Sequence, residues 1–546
     1  MQKHKENPSF KGNTLLIAFW DEYSIQNWFD PLKKLFNRII LFEPKKERIN
    51  YGQEKMNQHL LEKVRKENPD YILLNMISDE IPLGVLEKIK EVSPQTKLIN
   101  FSGDDDYQFE SYSSYLSLFV DAQIIYQREY LKKYKENGFQ NAYVSIGVNL
   151  DQYKPLKLEK KYEVSFIGAP RNDRSEFIRY LINKRIKVNL WGAGWEKYPE
   201  FKEYWGGYLN STDLIKIINQ SKINLSFNKG GVGKGQFHLT GRVFEIASCN
   251  SFQLAEDYYE YHKFFKPEKE MVYFKTNEDL LKKINHYIKH EKEREDIAQR
   301  AYRKIVQKYD RFYELNEIFN DLSKKEGKKI TWKEKEEDIL TITAQDLKKD
   351  ILYLKEKAKN ASFIQFSLEN CQFSRYKSAL QKKSLILSKK DISCCDYYIK
   401  DPLLGNYTLC KTKNAFYTLK KEDFAKLISL DQLMVTSKYF FKNLSKLIKM
   451  YQLKKNIEPS KEEVVFLSFP LVIRRSISKI NVKEMKKCFE PRFMYLLSSS
   501  IKAKSPLFLF HLSLLLAKSL TKSKYIGSSL IDYTKKSALG RYIPFI

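Results

Sequence analysis

The sequence is poor in cysteine, glycine and proline for its length. Its 546 residues include 6 Cys, 20 Gly and 16 Pro. No two cysteines have the CxxC spacing of a zinc or redox site, and so few cysteines do not form a disulfide-rich scaffold. The low glycine and proline content excludes a collagen-like chain, and 42% hydrophobic residues exclude a wholly disordered one. We therefore expect free thiols in a reducing cytoplasm.

The sequence also lacks long apolar runs. The run that comes nearest to a membrane span, Pro506–Ala517, is shorter than the roughly 20 residues that cross a bilayer. Near the start, the apolar run Thr14–Phe19 is too short for the core of a signal peptide and is typical of a strand. We therefore expect neither a signal peptide nor a transmembrane helix, and a cytoplasmic location.

Positive charge is abundant but unevenly distributed. The 96 Lys and Arg residues exceed the 67 Asp and Glu residues, which gives a net charge of +29. Residues 341–546 contain 39 basic and 16 acidic residues, a net charge of +23, and residues 1–340 contain the other 57 and 51, a net charge of +6. The basic character therefore belongs mainly to the C-terminal segment, and bulk charge gives no reason to expect nucleic-acid binding by the first 340 residues.

Short apolar runs alternate with helical segments twice along the first 320 residues. This alternation predicts parallel sheets built from βαβ units. The first set of predicted strands is Thr14–Phe19, Arg38–Phe42, Asp70–Met76, Lys97–Phe101, Asp121–Tyr126 and Ala142–Ser145. The second set is Tyr162–Ile167, Lys187–Trp191, Ile223–Phe227, Phe252–Ala255 and Val272–Phe274. We predict an α/β chain with Rossmann-like domains at 1–155 and 156–320, a linker at 321–340 and a C-terminal module at 341–546.

Glycines follow two predicted strands of the second domain. In such folds the carboxyl ends of the strands border a ligand crevice. Gly168, with Arg174 nearby, either lets a ligand anion approach the backbone or forms a tight turn with exposed arginines. Gly192 either lines a sugar or base pocket or has a packing role. Both interpretations stay open for each glycine.

A glycine-rich loop follows the predicted strand Ile223–Phe227. Its sequence, NKGGVGKGQFHLT, is not a Walker A loop, because that motif would require Gly at position 228 and Ser or Thr at position 235. The loop either closes on a diphosphate, with Lys234 offsetting its charge, or is a mobile surface loop. Its position after a strand favours the first interpretation. His238, in the same loop, is a candidate base or phosphate ligand.

Two further sets of charged residues lie next to predicted strand or helix ends. Arg242 and Glu245 open a predicted helix, where the carboxylate either offsets the helix dipole or accepts the hydroxyls of a ribose, and the arginine could bind phosphate oxygens. In the first domain, Asp104, Asp105 and Asp106 follow the strand Lys97–Phe101. A carboxylate there could act as a general base, and we single out Asp105 and Asp106, although an Asp-rich turn also caps helices.

The run around Arg242 and Glu245 resembles the closing region of group 1 glycosyltransferases. FHLTGRVFEIASCNSFQLAED is most similar to the spore-maturation subgroup of that family, which has an R-x-F-E motif. Upstream, SFIGAPRNDRSEFIRYL resembles the F-x-G strand and arginine of this subgroup, and NFSGDDDYQFE resembles its acidic segment. The resemblance extends over residues 95–320.

The resemblance implies a GT-B fold and transfer of a sugar from a nucleotide-sugar donor to a glycan, lipid or protein acceptor, without a metal or other cofactor. By this resemblance, Glu245 matches the family's carboxylate that binds the donor ribose. Arg242 matches the arginine that precedes that carboxylate in the family. The resemblance also argues against a metal-binding DxD role for the aspartates, which belongs to a different fold. The sequence departs from the family at Phe237, where many group 1 enzymes have Glu, and at Cys249–Ser251, which replaces a small glycine turn.

The C-terminal module has no comparable resemblance. Helical segments at Asp346–Lys359 and Phe424–Tyr451, with short apolar runs such as Val464–Phe469, predict a mixed, mainly helical, basic module. Three interpretations stay open: attachment to an anionic membrane surface through residues 500–546, a soluble domain with a basic face, and a second catalytic module. Nucleic acid is not the expected partner, because the segment is rich in lysine and has no known nucleic-acid-binding motif. The alternative function for the whole chain is non-catalytic binding on a GT-B scaffold targeted by this module.

Overall fold

Three β-sheets organise the chain in the computed structural model. The structure describes residues 10–20, 22–77, 80–170, 174–228, 239–327, 338–367, 371–373, 377–388, 390, 392–400, 407–410, 433–436, 440, 443, 447 and 464–474. The first two sheets fall in the predicted Rossmann-like domains, and the third falls in the C-terminal module.

The first domain contains a six-stranded sheet in the order β2-β1-β3-β4-β5-β6, with every neighbouring pair parallel. Its strands are β1 (Gly12–Phe19), β2 (Phe36–Leu41), β3 (Tyr71–Asn75), β4 (Lys97–Ser102), β5 (Ala122–Ile125) and β6 (Ala142–Val144). Each strand overlaps one of the six predicted strands. The central strands are buried almost throughout, as expected where helices cover both faces of a parallel sheet.

Helices connect these strands and cover the sheet. They are α1 (Glu22–Leu35), α2 (Pro44–Glu67), α3 (Leu83–Val92), α4 (Asp105–Gln108), a π-helical turn (Phe109–Ser113), α5 (Ser114–Leu116) and α6 (Tyr130–Glu136). The acidic triplet thus lies where β4 passes into α4, at the carboxyl edge of the sheet.

The second domain contains a five-stranded parallel sheet in the order β11-β10-β9-β7-β8. Its strands are β7 (Tyr162–Ile167), β8 (Val188–Trp191), β9 (Ser221–Ser226), β10 (Gln253–Glu256) and β11 (Val272–Phe274). Its helices are α7 (Arg174–Asn183), the 3-10 turns Trp195–Lys197 and Pro199–Phe201, α8 (Ser211–Gln220), α9 (Arg242–Ser248), α10 (Tyr259–His262), α11 (Asn277–Lys289) and α12 (Glu291–Lys308). The predicted arrangement of two Rossmann-like domains is confirmed.

Strand order reverses at one point in each sheet, between β1 and β3 and between β7 and β9. In open α/β sheets, ligands bind in the crevice outside the carboxyl ends of the strands at such a point. In the second domain this crevice lies beside Gly168 and Phe227, which follow β7 and β9.

The last helix of the predicted second domain, α13 (Arg311–Ser323), packs on the first domain instead. The Phe319 ring lies 4.9 Å from Phe36, 5.2 Å from Tyr71 and 5.5 Å from Phe10 between ring centroids. The chain therefore crosses from the second domain back to the first before it leaves both. The predicted boundary at residue 320 did not anticipate this crossing, because the amphipathic pattern of a helix does not identify its partner.

The C-terminal module differs from the mainly helical expectation in the part that the structure describes. A mixed sheet has the order β12-β13-β17-β15-β18-β14, and β16 pairs with β15. Its elements are β12 (Ile339–Thr343), a 3-10 turn (Asp346–Lys348), α14 (Ile351–Ala358), β13 (Phe363–Ser367), β14 (Cys371–Phe373), α15 (Lys377–Ser388), β15 (Ile392–Lys400), β16 (Tyr407–Cys410), β17 (Leu433–Thr436) and β18 (Val464–Arg474). The strands contain many β-branched and aromatic residues, which favour a pleated, half-buried surface.

This module shares a hydrophobic core with the first domain. One continuous cluster of buried side chains includes Met56 and Leu86 of the first domain and Ile342, Ile364 and Val435 of the module. No helix in the described part of the chain is long and apolar enough to cross a membrane. Residues 500–546, for which membrane-surface binding is predicted, lie outside the described residues.

Replacing Phe319 by Ala should loosen the contact of α13 with the first domain. Truncation of a well-packed buried Phe costs about 3–5 kcal/mol. The control Val306→Ala removes apolar atoms from a side chain of α12 that is 42% exposed, and it should cost much less. The free energy of unfolding of both variants is measured by chemical denaturation, with fluorescence as the signal. Equal stability losses in the two variants would show that α13 is not anchored by this ring cluster.

Candidate functional site

A cavity of about 390 Å³ lies between the two Rossmann-like domains. Second-domain residues at its wall lie at or after the carboxyl ends of β7 and β9, or just before and within α9. First-domain residues lie in α1 or at and after the carboxyl ends of β4, β5 and β6. The lining residues are Asn27, Trp28, Phe101, Gly103, Asp104, Tyr126, Ile146, Gly147, Val148, Phe166, Ile167, Gly168, Arg174, Ser226, Phe227, Leu239, Thr240, Gly241, Arg242, Glu245 and Arg311.

Arg242 and Glu245 lie side by side at the cavity wall, as their spacing predicts. Arg242 Nη1 donates to Glu245 Oε2 at 2.5 Å, and both side chains are mostly buried. The turn before them is held by Thr240, whose hydroxyl accepts from the Arg242 N–H at 3.3 Å. Gln253 of β10 donates to the Val243 carbonyl at 2.9 Å and fixes α9 against the sheet. The carboxylate is therefore held in one orientation and keeps further acceptor capacity.

Gly168 and Arg174 also line the cavity, as predicted. Arg174 opens α7, and its guanidinium donates to the carbonyls of Ala169 and Phe227, both at 3.2 Å. These two carbonyls follow β7 and β9, so the guanidinium spans the point where the strand order reverses. A positive charge is thus fixed at the position where such folds bind phosphate groups.

Gly192 is not at the cavity wall, but it supports a residue that is. Its φ is +124°, and a Cβ there would lie 2.7 Å from the Gly168 carbonyl oxygen. Only glycine fits such a close backbone approach. The structure therefore gives Gly192 the packing role that the sequence left open, and its effect on the cavity acts through Gly168.

The acidic triplet contributes Asp104 to the cavity, and neither Asp105 nor Asp106 is a lining residue. Asp105 is buried in the first domain, where its Oδ1 accepts from the Ser102 hydroxyl at 2.6 Å and the Tyr134 hydroxyl at 3.3 Å. Burial raises the pKa of Asp105 to about 7, although these hydrogen bonds act to lower it. The expectation that Asp105 faces the crevice is not met, because its side chain turns into the first-domain core.

The wall also includes residues that were not anticipated from the sequence, among them Trp28, Tyr126 and Arg311. Trp28 and Tyr126 come from the first domain, and Arg311 is the first residue of α13. The sequence does contain one indication that Arg311 has a special role. Arg311 lies in the first turn of a helix, where a positive charge interacts unfavourably with the helix dipole. Lys234 and His238 lie outside the described residues, so their roles stay predictions.

Part of the chain matches a known protein family. Residues 171–319 match a family model described as glycosyl transferase-like. No curated protein matches the chain significantly. The matched residues include Arg174, Arg242, Glu245 and Arg311 of the cavity wall.

Several solved structures are similar to part of this chain. Anabaena HepE with UDP and glucose is 10% identical over 57% of this chain and 99% of its own, with a TM-score of 0.43. Sucrose-phosphate synthase from Thermosynechococcus elongatus has the same identity and coverages and a TM-score of 0.42. A glycosyltransferase from Rickettsia africae is 11% identical over 57% and 99%, with a TM-score of 0.41. The family match identifies residues 171–319, which include β8 to β11 and most of α13, as a glycosyl transferase-like region.

Proposed function

We propose that the chain transfers a sugar from a nucleotide-sugar donor to a hydroxyl group of a glycan, lipid or protein acceptor. The observation that carries this proposal is the Arg242–Glu245 pair, fixed at the wall of a cavity between two Rossmann-like domains. The pair lies inside the glycosyl transferase-like region. The sequence Arg242-Val243-Phe244-Glu245 also supports the narrower proposal of the spore-maturation subgroup, through its R-x-F-E motif.

Donor binding is assigned to the second-domain wall. Glu245 accepts the ribose hydroxyls, since its carboxylate is oriented by Arg242 and faces the cavity. Gly168 lets the diphosphate approach the backbone, and Arg174 offsets its charge. Arginine side chains can stabilise a leaving diphosphate electrostatically, and we propose that transfer needs no metal ion and no cofactor besides the donor. Lys234 is proposed to contribute a further cation.

Acceptor activation is assigned to Asp104, the carboxylate of the triplet that lines the cavity. In this mechanism the acceptor hydroxyl oxygen bonds to the anomeric carbon and its proton passes to the Asp104 carboxylate. The bond between the anomeric carbon and the phosphate oxygen breaks, and the diphosphate leaves with that electron pair. A first-domain base facing a donor held by the second domain suits this geometry, because the two reactants meet across the cleft.

Two partner proposals concern the rest of the chain. The acceptor is proposed to enter from the first-domain side of the cavity, where Asp104 and Trp28 lie. Residues 500–546 are proposed to bind an anionic membrane surface, on the basis of their lysines and the apolar run Pro506–Ala517. That segment lies outside the described residues, so the sequence alone supports this second proposal.

Replacing Glu245 by Gln should weaken nucleotide-sugar binding about 10- to 100-fold, because hydrogen bonds to a charged group contribute about 1.5–3 kcal/mol. Isothermal calorimetry with a panel of nucleotide sugars measures the effect. Glu200→Gln is the matched control, since Glu200 forms an ion pair with Arg179 on the exposed surface of the same domain. Unchanged affinity in Glu245→Gln, with the control also unchanged, would exclude Glu245 as the ribose ligand.

Replacing Asp104 by Asn should slow sugar transfer about 10²- to 10⁴-fold, the usual effect of losing a general base. Donor affinity should change little, because the donor is held by the second domain. Steady-state kinetics with a donor and an acceptor that the unmodified chain uses measure the transfer rate. Calorimetry measures the donor affinity separately. Glu110→Gln, whose carboxylate is 80% exposed in the same region, is the control. Full activity in Asp104→Asn would remove this residue from the mechanism.

A further inference from the structure

Arg311 lies where the chain crosses from the second domain to the first. Its backbone N–H donates to the Val148 carbonyl at 3.0 Å, and its Nε donates to the Gly147 carbonyl at 2.9 Å. Nη2 donates to the same Gly147 oxygen. The guanidinium carbon lies 4.5 Å from the centroid of the Trp28 ring. The side chain is thus held rigidly at the cavity wall by groups of the first domain.

The guanidinium nitrogen Nη1 of Arg311 is buried, and it has no hydrogen-bond partner among the residues that the structure describes. Glu314 has the strongest electrostatic effect of any carboxylate on Arg311, but its Oε2 accepts from Ser145 and from the Gly147 N–H. A buried, charged donor without an acceptor costs free energy, and native structures keep such groups chiefly where a function requires them.

Tyr126 presents a second buried donor at the same wall. Within the described part of the chain, its hydroxyl has no hydrogen-bond partner. It points toward the turn that opens α9, since a Cβ added to Gly241 would lie 3.4 Å from the hydroxyl oxygen and 4.0 Å from Glu245 Oε1. Burial raises the pKa of Tyr126, and the charge of Arg311 acts in the opposite direction, so the two groups interact electrostatically.

We infer that Arg311 Nη1 and the Tyr126 hydroxyl bind the phosphate groups of a nucleoside diphosphate in the cavity. This inference rests on the proposed function, because it takes Glu245 as the ribose ligand. The phosphates of a nucleotide adjoin its ribose, so a ligand anchored at Glu245 brings its phosphate oxygens toward these two donors. Arg311 and Tyr126 then close on the ligand from the first-domain side, opposite Arg174 and Arg242.

Binding in this way includes a small movement of the cavity wall. Nη1 and the Tyr126 hydroxyl each expose less than 1 Å² in the present conformation. Tyr126 also packs edge to face on Phe244 of α9, with 6.5 Å between ring centroids. A ligand oxygen that reaches the two donors must shift this contact between the domains. Phosphate binding is therefore coupled to a change in how the first domain packs against α9.

The test compares Arg311→Met and Tyr126→Phe with two matched controls in the full chain. Arg294→Met removes another buried arginine, which donates to the carbonyls of Tyr287 and Ile288. Tyr134→Phe removes another buried tyrosine hydroxyl of the first domain. The probes are UDP, GDP, CDP and ADP, the nucleoside of whichever diphosphate binds best, and inorganic pyrophosphate. Calorimetry measures affinity, and thermal denaturation measures ligand-induced stabilisation.

Arg311→Met should weaken nucleoside diphosphate binding about 10- to 100-fold and Tyr126→Phe about 3- to 10-fold. Binding of the nucleoside alone should change less than about twofold, and the controls should bind like the unmodified chain. Tyr126→Phe keeps the inference testable if Arg311→Met does not fold, since it removes one hydroxyl oxygen that bonds to no described residue. Equal weakening of diphosphate and nucleoside, or no weakening of either, would overturn the inference while leaving the proposed function intact.

Failure of the proposed function gives a different result. If the unmodified chain binds no nucleoside and no nucleoside diphosphate, the proposed function fails, and pyrophosphate decides the inference. Stabilisation of the unmodified chain by pyrophosphate that is lost in Arg311→Met or Tyr126→Phe supports an anion site at these residues. Equal stabilisation of all variants, or stabilisation of none, rejects it.

Discussion

The return of α13 to the first domain is the constraint on which the cavity depends. Two segments meet there: Val148 N–H donates to the Tyr309 carbonyl at 2.9 Å, and Arg311 N–H donates to the Val148 carbonyl at 3.0 Å. The Phe319 ring then anchors the helix among the aromatic rings of the first domain. Because the chain joins the domains at two adjacent points, it limits how they can separate and keeps the carboxyl edges of both sheets facing one cleft.

Side chains of both charges line this cleft. Arg174, Arg242 and Arg311 bring three cations to its wall, and Asp104 and Glu245 bring two carboxylates. Their contacts differ, since Arg242 donates to a carboxylate and both Arg174 and Arg311 donate to backbone carbonyls. Each of these contacts fixes the direction of a guanidinium at the wall of the cleft.

The helices and strands of the two Rossmann-like domains could be predicted from the sequence, but the contacts between residues that are distant in sequence could not. Buried apolar runs identified every strand of the first two sheets, and spacing alone placed Arg242 beside Glu245 on one turn of α9. Three consecutive aspartates share one strand end, and only the packing of Ser102 and Tyr134 decides that Asp105 turns inward while Asp104 reaches the cleft. Trp28, Tyr126 and Arg311 are far apart in sequence, so their convergence depends on the folded chain and on no local pattern.

The hydrophobic core that the C-terminal module shares with the first domain has a consequence for evolution and for engineering. Side chains such as Ile364 and Leu86 belong to one continuous hydrophobic core. Separating the module from the first domain would therefore expose apolar surface of both to water. The module is therefore unsuited to exchange as an independent cassette. Among the described residues, the module thus shares its interior with the half of the molecule that carries Asp104 and not with the half that carries Glu245.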